Sequence, residues 1–378
     1  MAVPAATKSL LGEGAYMNST TEATGSGGPS DFERALPTED PTQAVFESHG
    51  RSPLRRLQHF LHGAPTVVPF IVLVLGILIF SLVVGSRFFA PFNLTLVLQQ
   101  VTIIAIVGIA QTLIILTAGI DLSVGAILVL SHVVMGRLAI VYGWPVGFAF
   151  AAGLLCGTVC GFINGSLVTF LRLPPFIATL GTLSIFGALN LYFSQSETIR
   201  AVDIEATAPF LQFMGTAIKL GTARLIYGSI LMLLLALVFW YVLNRTAFGR
   251  HVHATGDDPD SARLAGINTD RVLIGVYTLA GFICAVAGWV LIGRIGSVSP
   301  QAGGTANLDS ITAVVIGGTS LFGGRGSILG TLIGALIVGT FRNGLALGGL
   351  TDLWQDFTIG ILIILAVSID QWIRKVSA

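Results

Sequence analysis

The sequence predicts an all-α, polytopic membrane protein with about ten transmembrane helices. Of its 378 residues, 53% are hydrophobic and only 10% are charged, whereas about 25% of the residues of an ordinary soluble domain are charged. Several apolar runs reach the roughly 20 residues that a helix needs to cross a bilayer. The chain also contains 46 glycines, and glycine is frequent in membrane helices because it lets their backbones approach closely.

The composition changes twice along the chain and predicts three regions. Residues 1–50 are rich in Gly, Ser, Thr, Pro and acidic residues, which predicts a disordered cytoplasmic tail. In residues 51–64, apolar residues fall on one side of a helix and basic ones elsewhere, which favours a basic amphipathic helix on the membrane surface. An unstructured basic flank fits residues 51–64 nearly as well. Residues 65–375 form the predicted transmembrane domain.

Ten apolar segments of this domain are candidate spans. The runs 96–141 and 308–347 are almost continuous, so counts from eight to eleven agree with the sequence. The candidate spans are 66–85, 96–118, 122–141, 145–168, 174–194, 226–244, 272–295, 308–322, 326–347 and 353–373.

The distribution of Lys and Arg predicts the orientation. With an even number of spans and both termini in the cytoplasm, 13 of the 20 basic residues lie inside. Cytoplasmic loops of membrane proteins carry such an excess of Lys and Arg. This orientation places residues 195–225 outside and residues 245–271 inside.

The segment 245–271 contains the signature of a short capped helix. Asp258 can cap its N-terminus, Pro259 suits the first helical position, and Gly266 can end it in a left-handed conformation. An ordinary loop helix explains this pattern as well as an element that docks on a cytoplasmic partner. The candidate docking residues are Asp258, Pro259, Ser261, Ala262, Leu264, Ala265 and Gly266.

The sequence argues against several kinds of site and function. A phosphate-binding loop needs a lysine directly after a glycine, and none of Lys8, Lys219 and Lys375 has one before it. The three cysteines lie in apolar runs without the His or carboxylate neighbours of a metal site. A net charge of +1 argues against nucleic-acid binding. The absence of a nucleophile–base pair argues against an enzyme.

Glycines recur every four residues in two of the candidate spans. Such ridges permit close helix crossings, and packing within the subunit is favoured over a contact between subunits. The ridge residues are Gly153, Gly157, Gly161 and Gly165 in one span, and Gly326, Gly330 and Gly334 in another.

Six polar residues lie within or between apolar spans. Polar groups at membrane depth are costly and usually face a cavity or a partner, which makes these residues candidates for lining a substrate pathway. For Asp121 and Asp309, capping of an interrupted helix is the alternative interpretation. Each of these two aspartates precedes a glycine-ridged span, a weak indication of an inverted five-helix repeat. The candidate pathway residues are Gln111, Asp121, Ser123, Asn164, Asn190 and Asp309.

Five stretches together resemble the sugar-type permease family of bacterial ABC importers, in its ribose, xylose and fructose branch. They occur in the expected order between residues 65 and 375, and they look closest to fructose importers. Residues 1–50 depart from the shorter relatives. The stretches are Leu116–Ala126, Arg172–Thr182, Gly249–Asp258, Ala262–Asn268 and Ile316–Ser327.

The resemblance implies the ABC-importer permease fold and a monosaccharide as substrate. It also implies a bacterial inner-membrane location, a second permease copy, a cytoplasmic ATPase subunit that holds ATP and Mg²⁺, and a periplasmic sugar-binding protein. Residues 245–271 would then be the ATPase-docking loop, and this chain a non-catalytic transport subunit. Two alternatives remain: a proton-coupled secondary transporter that uses Asp121 or Asp309, and an ABC permease for a nucleoside or a branched-chain amino acid.

Overall fold

The protein is described by a computed structural model that covers residues 67–374. The predicted tail 1–50 and the predicted basic helix 51–64 lie outside the described residues. The elements are α1 (Val67–Val84), α2 (Pro91–Leu116), α3 (Val124–Gly136), α4 (Val146–Thr169), α5 (Pro175–Ser194), α6 (Ala201–Thr207), β1 (Ala217–Leu220), β2 (Ala223–Ile226), α7 (Tyr227–Arg245), α8 (Ala247–Asp257), α9 (Pro259–Leu264), α10 (Thr269–Ile295), α11 (Ala306–Ile316), α12 (Ile328–Leu347) and α13 (Asp352–Arg374).

Each of the ten predicted segments coincides with a helix. Within residues 67–374, eight helices are long and apolar enough to cross a membrane: α1, α2, α3, α4, α5, α7, α10 and α12. In this assignment α1 continues through a 3₁₀ turn to Arg87, and α3 continues through a π turn to Val141. The helix α13 has 23 residues, and α11 has 11. The all-α membrane architecture is confirmed, while the exact number of spans stays a prediction.

The predicted span 308–322 is wrong in its second half. The helix α11 ends at Ile316. At 1.5 Å per residue its 11 residues measure about 16 Å, roughly half of the hydrocarbon thickness. Residues 317–327 form a loop in which Gly318, Gly323 and Gly324 have positive φ angles. Because glycine adopts this left-handed conformation without steric cost, the chain can leave the helix there although the run is apolar.

Several elements lie between the long helices at positions where the sequence analysis predicted no helix or strand. Between α5 and α7, the strands β1 and β2 form an antiparallel hairpin in which Lys219 stands opposite Arg224. A 3₁₀ helix at Pro209–Gly215 precedes the hairpin and packs against α10. Between α7 and α9, the chain forms α8, whose N-cap Thr246 accepts a hydrogen bond from Gly249 N.

The helices α2 and α10 are central and pack against each other. The helix α2 also packs against α11 and α12, and α10 packs against α3 and α4. The flanking helices repeat the pattern, since α3 contacts α4 and α5, and α11 contacts α12 and α13. Such reciprocal packing is what an inverted repeat would produce, and the repeat itself stays a prediction.

Candidate functional site

The connection between α2 and α3 carries a buried polar cluster around Asp121. One carboxylate oxygen, Oδ1, accepts hydrogen bonds from the backbone N and the Oγ of Ser123, both at 2.7 Å. The other, Oδ2, accepts from Asn164 Nδ2 of α4 at 3.1 Å. The same Asn164 amide donates to Ser123 Oγ at 2.7 Å. These three side chains are almost completely buried, so the bonds compensate for their removal from solvent.

Side chains of α2, α5 and α11 bind the backbone of the connection between α2 and α3. In the amide orientation that satisfies both of its groups, Gln111 donates to Asp121 O at 3.2 Å and accepts from Asp121 N at 3.3 Å. Thr179 Oγ1 of α5 lies 3.2 Å from both Ile120 O and Leu122 N. Asn307 Nδ2 of α11 donates to Leu122 O at 3.3 Å. The backbone groups between α2 and α3 therefore have hydrogen-bond partners, as burial in a membrane requires.

The structure thus brings Gln111, Asp121, Ser123 and Asn164 together in one closed cluster. Asn190 lies elsewhere, where its Nδ2 donates to Pro300 O at 2.9 Å. Asp121 binds the backbone N of Ser123, the N-cap residue of α3, and the side chain of Ser123 makes no capping bond, so helix capping stays a prediction. A part in the substrate pathway stays a prediction for these five residues.

The sixth candidate, Asp309, lines a polar cavity of about 480 Å³. The cavity lies between α2, α10, α11, α12 and α13, near the helix ends that the charge distribution places outside. Asp309 Oδ1 is 2.7 Å from Arg342 Nη2, and Asp309 Oδ2 accepts from Thr305 Oγ1 at 3.0 Å. Arg342 Nη2 is also 3.1 Å from Asp356 Oδ1. The charged and amide-bearing lining residues are Gln100, Arg294, Asp309, Arg342, Asp352 and Gln355.

The segment 245–271 presents a capped helix, α9. Asp258 Oδ1 accepts from Asp260 N at 3.0 Å and from Ser261 N at 3.1 Å, and Asp258 Oδ2 accepts from Ser261 Oγ. These bonds stabilise the carboxylate and lower the pKa of Asp258, with the Ser261 hydroxyl as the largest cause. Gly266 has a φ of +86° and follows the end of the helix, as the sequence predicted.

One side of α9 is held against the protein, and the other is free. Ala262 is buried, whereas Leu264 is 91% exposed. Arg263 ties α9 to the start of α10, through a 2.8 Å hydrogen bond from its Nε to Thr269 Oγ1 and an ion pair with Asp270 at 3.4 Å. Among the candidate docking residues, Pro259, Ser261, Ala265 and Gly266 are also exposed. The large apolar side chain of Leu264 is therefore exposed on the predicted cytoplasmic side, on a turn of helix that the contacts of Arg263 hold in place.

The end of α8 contacts the end of α2 and the loop between α11 and α12 at one point. We call this point the glycine junction, and it consists of Leu116, Gly256, Gly323 and Gly324. Gly324 N donates to Leu116 O at 3.0 Å. His253 Nδ1 lies 3.0 Å from Gly324 O. A Cβ added to Gly256 would overlap Leu116 O, and one added to Gly323 would overlap Gly256 O. The three backbones touch directly, and α9 begins three residues after Gly256.

The glycine ridges lie where helices cross closely. Gly157 and Gly161 of α4 face Gly281 of α10, and Gly153 faces Met135 of α3. Gly165 faces Ile274 and Tyr277 of α10. On α12, Gly330 faces Gly317 and Gly334 faces Ala313, while Gly326 lies in the preceding loop against Thr319. Each ridge glycine therefore contacts its own subunit.

Comparison with known proteins identifies the family. Residues 93–367 match the family described as the permease component of the branched-chain amino acid transport system. The chain belongs to this family of ABC importer permeases. Within it, the chain is 58% identical to the fructose import permease protein FrcC of Rhizobium meliloti, over 92% of this chain and 97% of that protein.

More distant relatives of this permease are also named for sugars. The ribose import permease protein RbsC of Bacillus subtilis is 41% identical over 85% of this chain and 96% of its own length. The D-allose transport system permease protein AlsC of Escherichia coli is 35% identical over 81% of this chain and 91% of its own length. No solved structure matches the chain. The protein is therefore a permease subunit of the sugar importers, as the sequence motifs predicted.

The sequence interpretation missed several residues of these sites. Gln100, Arg294, Arg342 and Gln355 belong to four different helices, and their convergence on Asp309 depends on the tertiary packing. A signal did exist, because Arg294 and Arg342 are charged residues near the ends of apolar spans. The glycines of the junction gave no signal of their own, since the chain contains 46 glycines.

Proposed function

We propose that this chain is the pore-forming subunit of a fructose importer in a bacterial inner membrane, with both termini in the cytoplasm. It would act as a homodimer with a cytoplasmic ATPase and a periplasmic fructose-binding protein. The observation that carries the choice of sugar is the 58% identity, over nearly the whole length, to a fructose import permease. ATP and Mg²⁺ would be held by the ATPase, in agreement with the lack of a phosphate-binding loop in this sequence.

The geometry of α9 supports a docking role for residues 258–266. A helix of six residues is too short to be stable alone, and here its cap and the contacts of Arg263 hold it in place. The exposed side of Leu264 has no function in the fold of the described residues, and an apolar groove of the ATPase would cover it. Asp258 and Arg263 then act as positioning residues for this contact.

The glycine junction supports a route by which ATP hydrolysis reaches the pore. Because α8 leads directly into α9, a movement imposed on α9 by the ATPases displaces Gly256. The backbone contacts of Gly256 then carry this displacement to the end of α2 and to the loop before α12. Coupling between distant sites is carried by contiguous contacts between packed elements, and the glycine junction provides such contacts.

Uptake of labelled fructose tests the function directly. The permease, its ATPase and its binding protein are expressed in cells that lack other fructose transport, and an ATPase variant unable to hydrolyse ATP serves as the control. We expect uptake that requires all three proteins and ATP hydrolysis, and that excess unlabelled ribose does not abolish. Uptake of ribose in preference to fructose would contradict the choice of sugar. Uptake by the permease alone, driven by a proton gradient, would contradict ATP coupling.

A variant of α9 tests docking. Leu264→Asp places a charge on the exposed apolar side chain and should remove copurification of the ATPase, together with ATP-driven uptake. Asn244→Asp adds a charge at the exposed end of α7 and is the matched control. Wild-type ATPase binding by Leu264→Asp would refute the docking role.

A further inference from the structure

The polar cavity around Asp309 extends well into the membrane-spanning bundle. Gln100 lies nine residues after the start of α2, which at 1.5 Å per residue is about 14 Å from the helix end. We propose that this cavity is a binding station for the sugar on its way through the permease, with Gln100 and Arg294 as contact residues. The inference rests on the proposed function, since it takes a monosaccharide as the transported solute.

The charges of the lining indicate a neutral ligand. Four ionisable side chains line the cavity: the cationic Arg294 and Arg342 and the anionic Asp309 and Asp352. Two positive and two negative groups line the cavity, and Arg342 is neutralised by its ion pairs with Asp309 and Asp356, so an anionic ligand is not favoured. A polar, uncharged solute is the class that such a lining accommodates. The volume of about 480 Å³ lies within the range of small-molecule sites, about 300–1,000 Å³.

Several polar groups of the lining have no partner of their own within residues 67–374. Gln100 Oε1 and Arg342 Nε are buried without a hydrogen bond and are closed to the cavity. The amide nitrogen of Gln100 and the guanidinium of Arg294 are not fully buried, and they form no hydrogen bond or ion pair with any described residue. These donors therefore remain for a ligand. Sugar hydroxyls accept as well as donate hydrogen bonds, so one ring can satisfy several donors.

The lining also contains apolar residues. They are Ile103 and Ile104 of α2 and Leu291 and Ile295 of α10, which lie on the same helix faces as Gln100 and Arg294. A monosaccharide has apolar C–H surface beside its hydroxyl groups and can lie against such residues. Asp309 is a positioning residue here, because its 2.7 Å contact with Arg342 fixes the guanidinium.

The ratio of sugar moved to ATP hydrolysed tests this station. Gln100→Leu and Arg294→Met are each assembled with the ATPase in proteoliposomes, with the fructose-loaded binding protein on the outer side. The matched control is Arg87→Met, which removes an exposed arginine outside the cavity. We expect both cavity variants to keep ATP hydrolysis stimulated by the loaded binding protein. Fructose uptake per ATP should fall about tenfold, the effect of losing one hydrogen bond to a charged or buried group.

The possible outcomes separate the two proposals. Absence of fructose uptake by the wild-type complex would refute the proposed sugar, and the same variants would then be assayed with ribose. Wild-type sugar-to-ATP ratios in both variants would overturn the station. An equal loss of hydrolysis and uptake in assembled variants would also overturn it, because the two residues would then act on the conformational cycle.

A further variant, which only narrows the cavity, keeps the proposal testable if Gln100→Leu or Arg294→Met fails to fold. Ala346 of α12 lines the cavity and is exposed there. Ala346→Phe leaves every polar contact in place and reduces the space. We expect it to impair uptake of the hexose more than uptake of a pentose by a complex that carries both. An equal effect on the two sugars would argue against a station of defined size.

Discussion

Gly324 donates a 3.0 Å hydrogen bond from its backbone N to the carbonyl of Leu116, and so joins the loop before α12 to the end of α2. Both segments lie at interruptions of the membrane-spanning helices, and the end of α8 packs against this bond through Gly256. The element that precedes the proposed docking helix is therefore in backbone contact with both the end of α2 and the loop before α12.

Gly256→Ala is expected to uncouple ATP hydrolysis from transport. Its Cβ would overlap Leu116 O, so α8 must shift away from α2. Since overpacking costs about 1–3 kcal/mol, we expect uptake to fall about tenfold while the ATPase still copurifies. Fructose uptake and ATP hydrolysis are measured on the same preparation.

Gly275→Ala is the matched control, because the nearest atom to its Cβ would be Phe248 Cε2 at a comfortable 3.7 Å. His253→Ala provides a milder change at the same place, since it removes only the contact with Gly324 O. Coupled transport at the wild-type rate in both junction variants would contradict the proposed route.

Substitutions of Asp121 distinguish capping from proton coupling. Asp121→Asn keeps an acceptor for Ser123, and once the Asn164 amide rotates by half a turn, Asn164 Oδ1 can accept from the new amide and from Ser123 Oγ. We expect this variant to retain its stability and its uptake. Asp121→Leu removes the acceptor of three buried donor groups, at about 1–3 kcal/mol for each one left unsatisfied, and should lower the thermal unfolding temperature in detergent. Loss of transport in a stable Asp121→Asn protein would indicate that the carboxyl group itself takes part.

The cap of α9 should withstand mild acid. The pKa of Asp258 is lower in the folded protein than in the unfolded chain, where it is about 3.9. A lowered pKa stabilises the fold above the unfolded value, and this contribution is lost as the pH falls through the folded pKa. Hydrogen exchange at the amides of Asp260 and Ser261, corrected for intrinsic rates, should therefore show unchanged protection from pH 8 down to about pH 4.5.

Asp258→Asn is the control for this pH dependence, because it keeps a capping oxygen and cannot titrate in this range. Its protection should not change with pH even in stronger acid. Loss of wild-type protection near pH 6 would show that another group controls the cap.

The glycine ridge of α4 predicts a position-dependent effect of alanine. A Cβ at Gly161 would overlap Tyr277 O of α10, so Gly161→Ala should destabilise the protein by about 1–3 kcal/mol. Gly181→Ala on α5 meets nothing within 4 Å and should be neutral or slightly stabilising, because alanine favours helix. Thermal unfolding of the two purified variants gives the comparison. Equal unfolding temperatures would contradict tight packing of α4 on α10.

The sequence was sufficient to locate every long apolar helix, because burial in lipid imposes a length and composition that can be read directly. It was also sufficient to predict α9, whose cap, proline and terminal glycine are local signals. The end of α11 was missed because Ile316 is followed by a run that is still apolar, and hydropathy does not register the glycines that end the helix there.

Tertiary convergence could not be predicted in the same way. Asp309 and Arg342 are 33 residues apart and Gln100 is still more distant in sequence, so only the packing of α2, α11 and α12 shows that they share one cavity. The six candidate pathway residues were chosen for polarity alone. The structure divides them among a closed cluster, a loop contact and a cavity, a division that polarity does not encode.

The side-chain bonds that shape α9 fall between Asp258 and Asp270, within thirteen consecutive residues. The shape of α9 therefore depends mainly on a short stretch of local sequence, and Ala262 supplies its buried contact with the rest of the fold. Under the proposed docking role, the residues that select the ATPase form one short segment, separate from the residues proposed to contact the sugar.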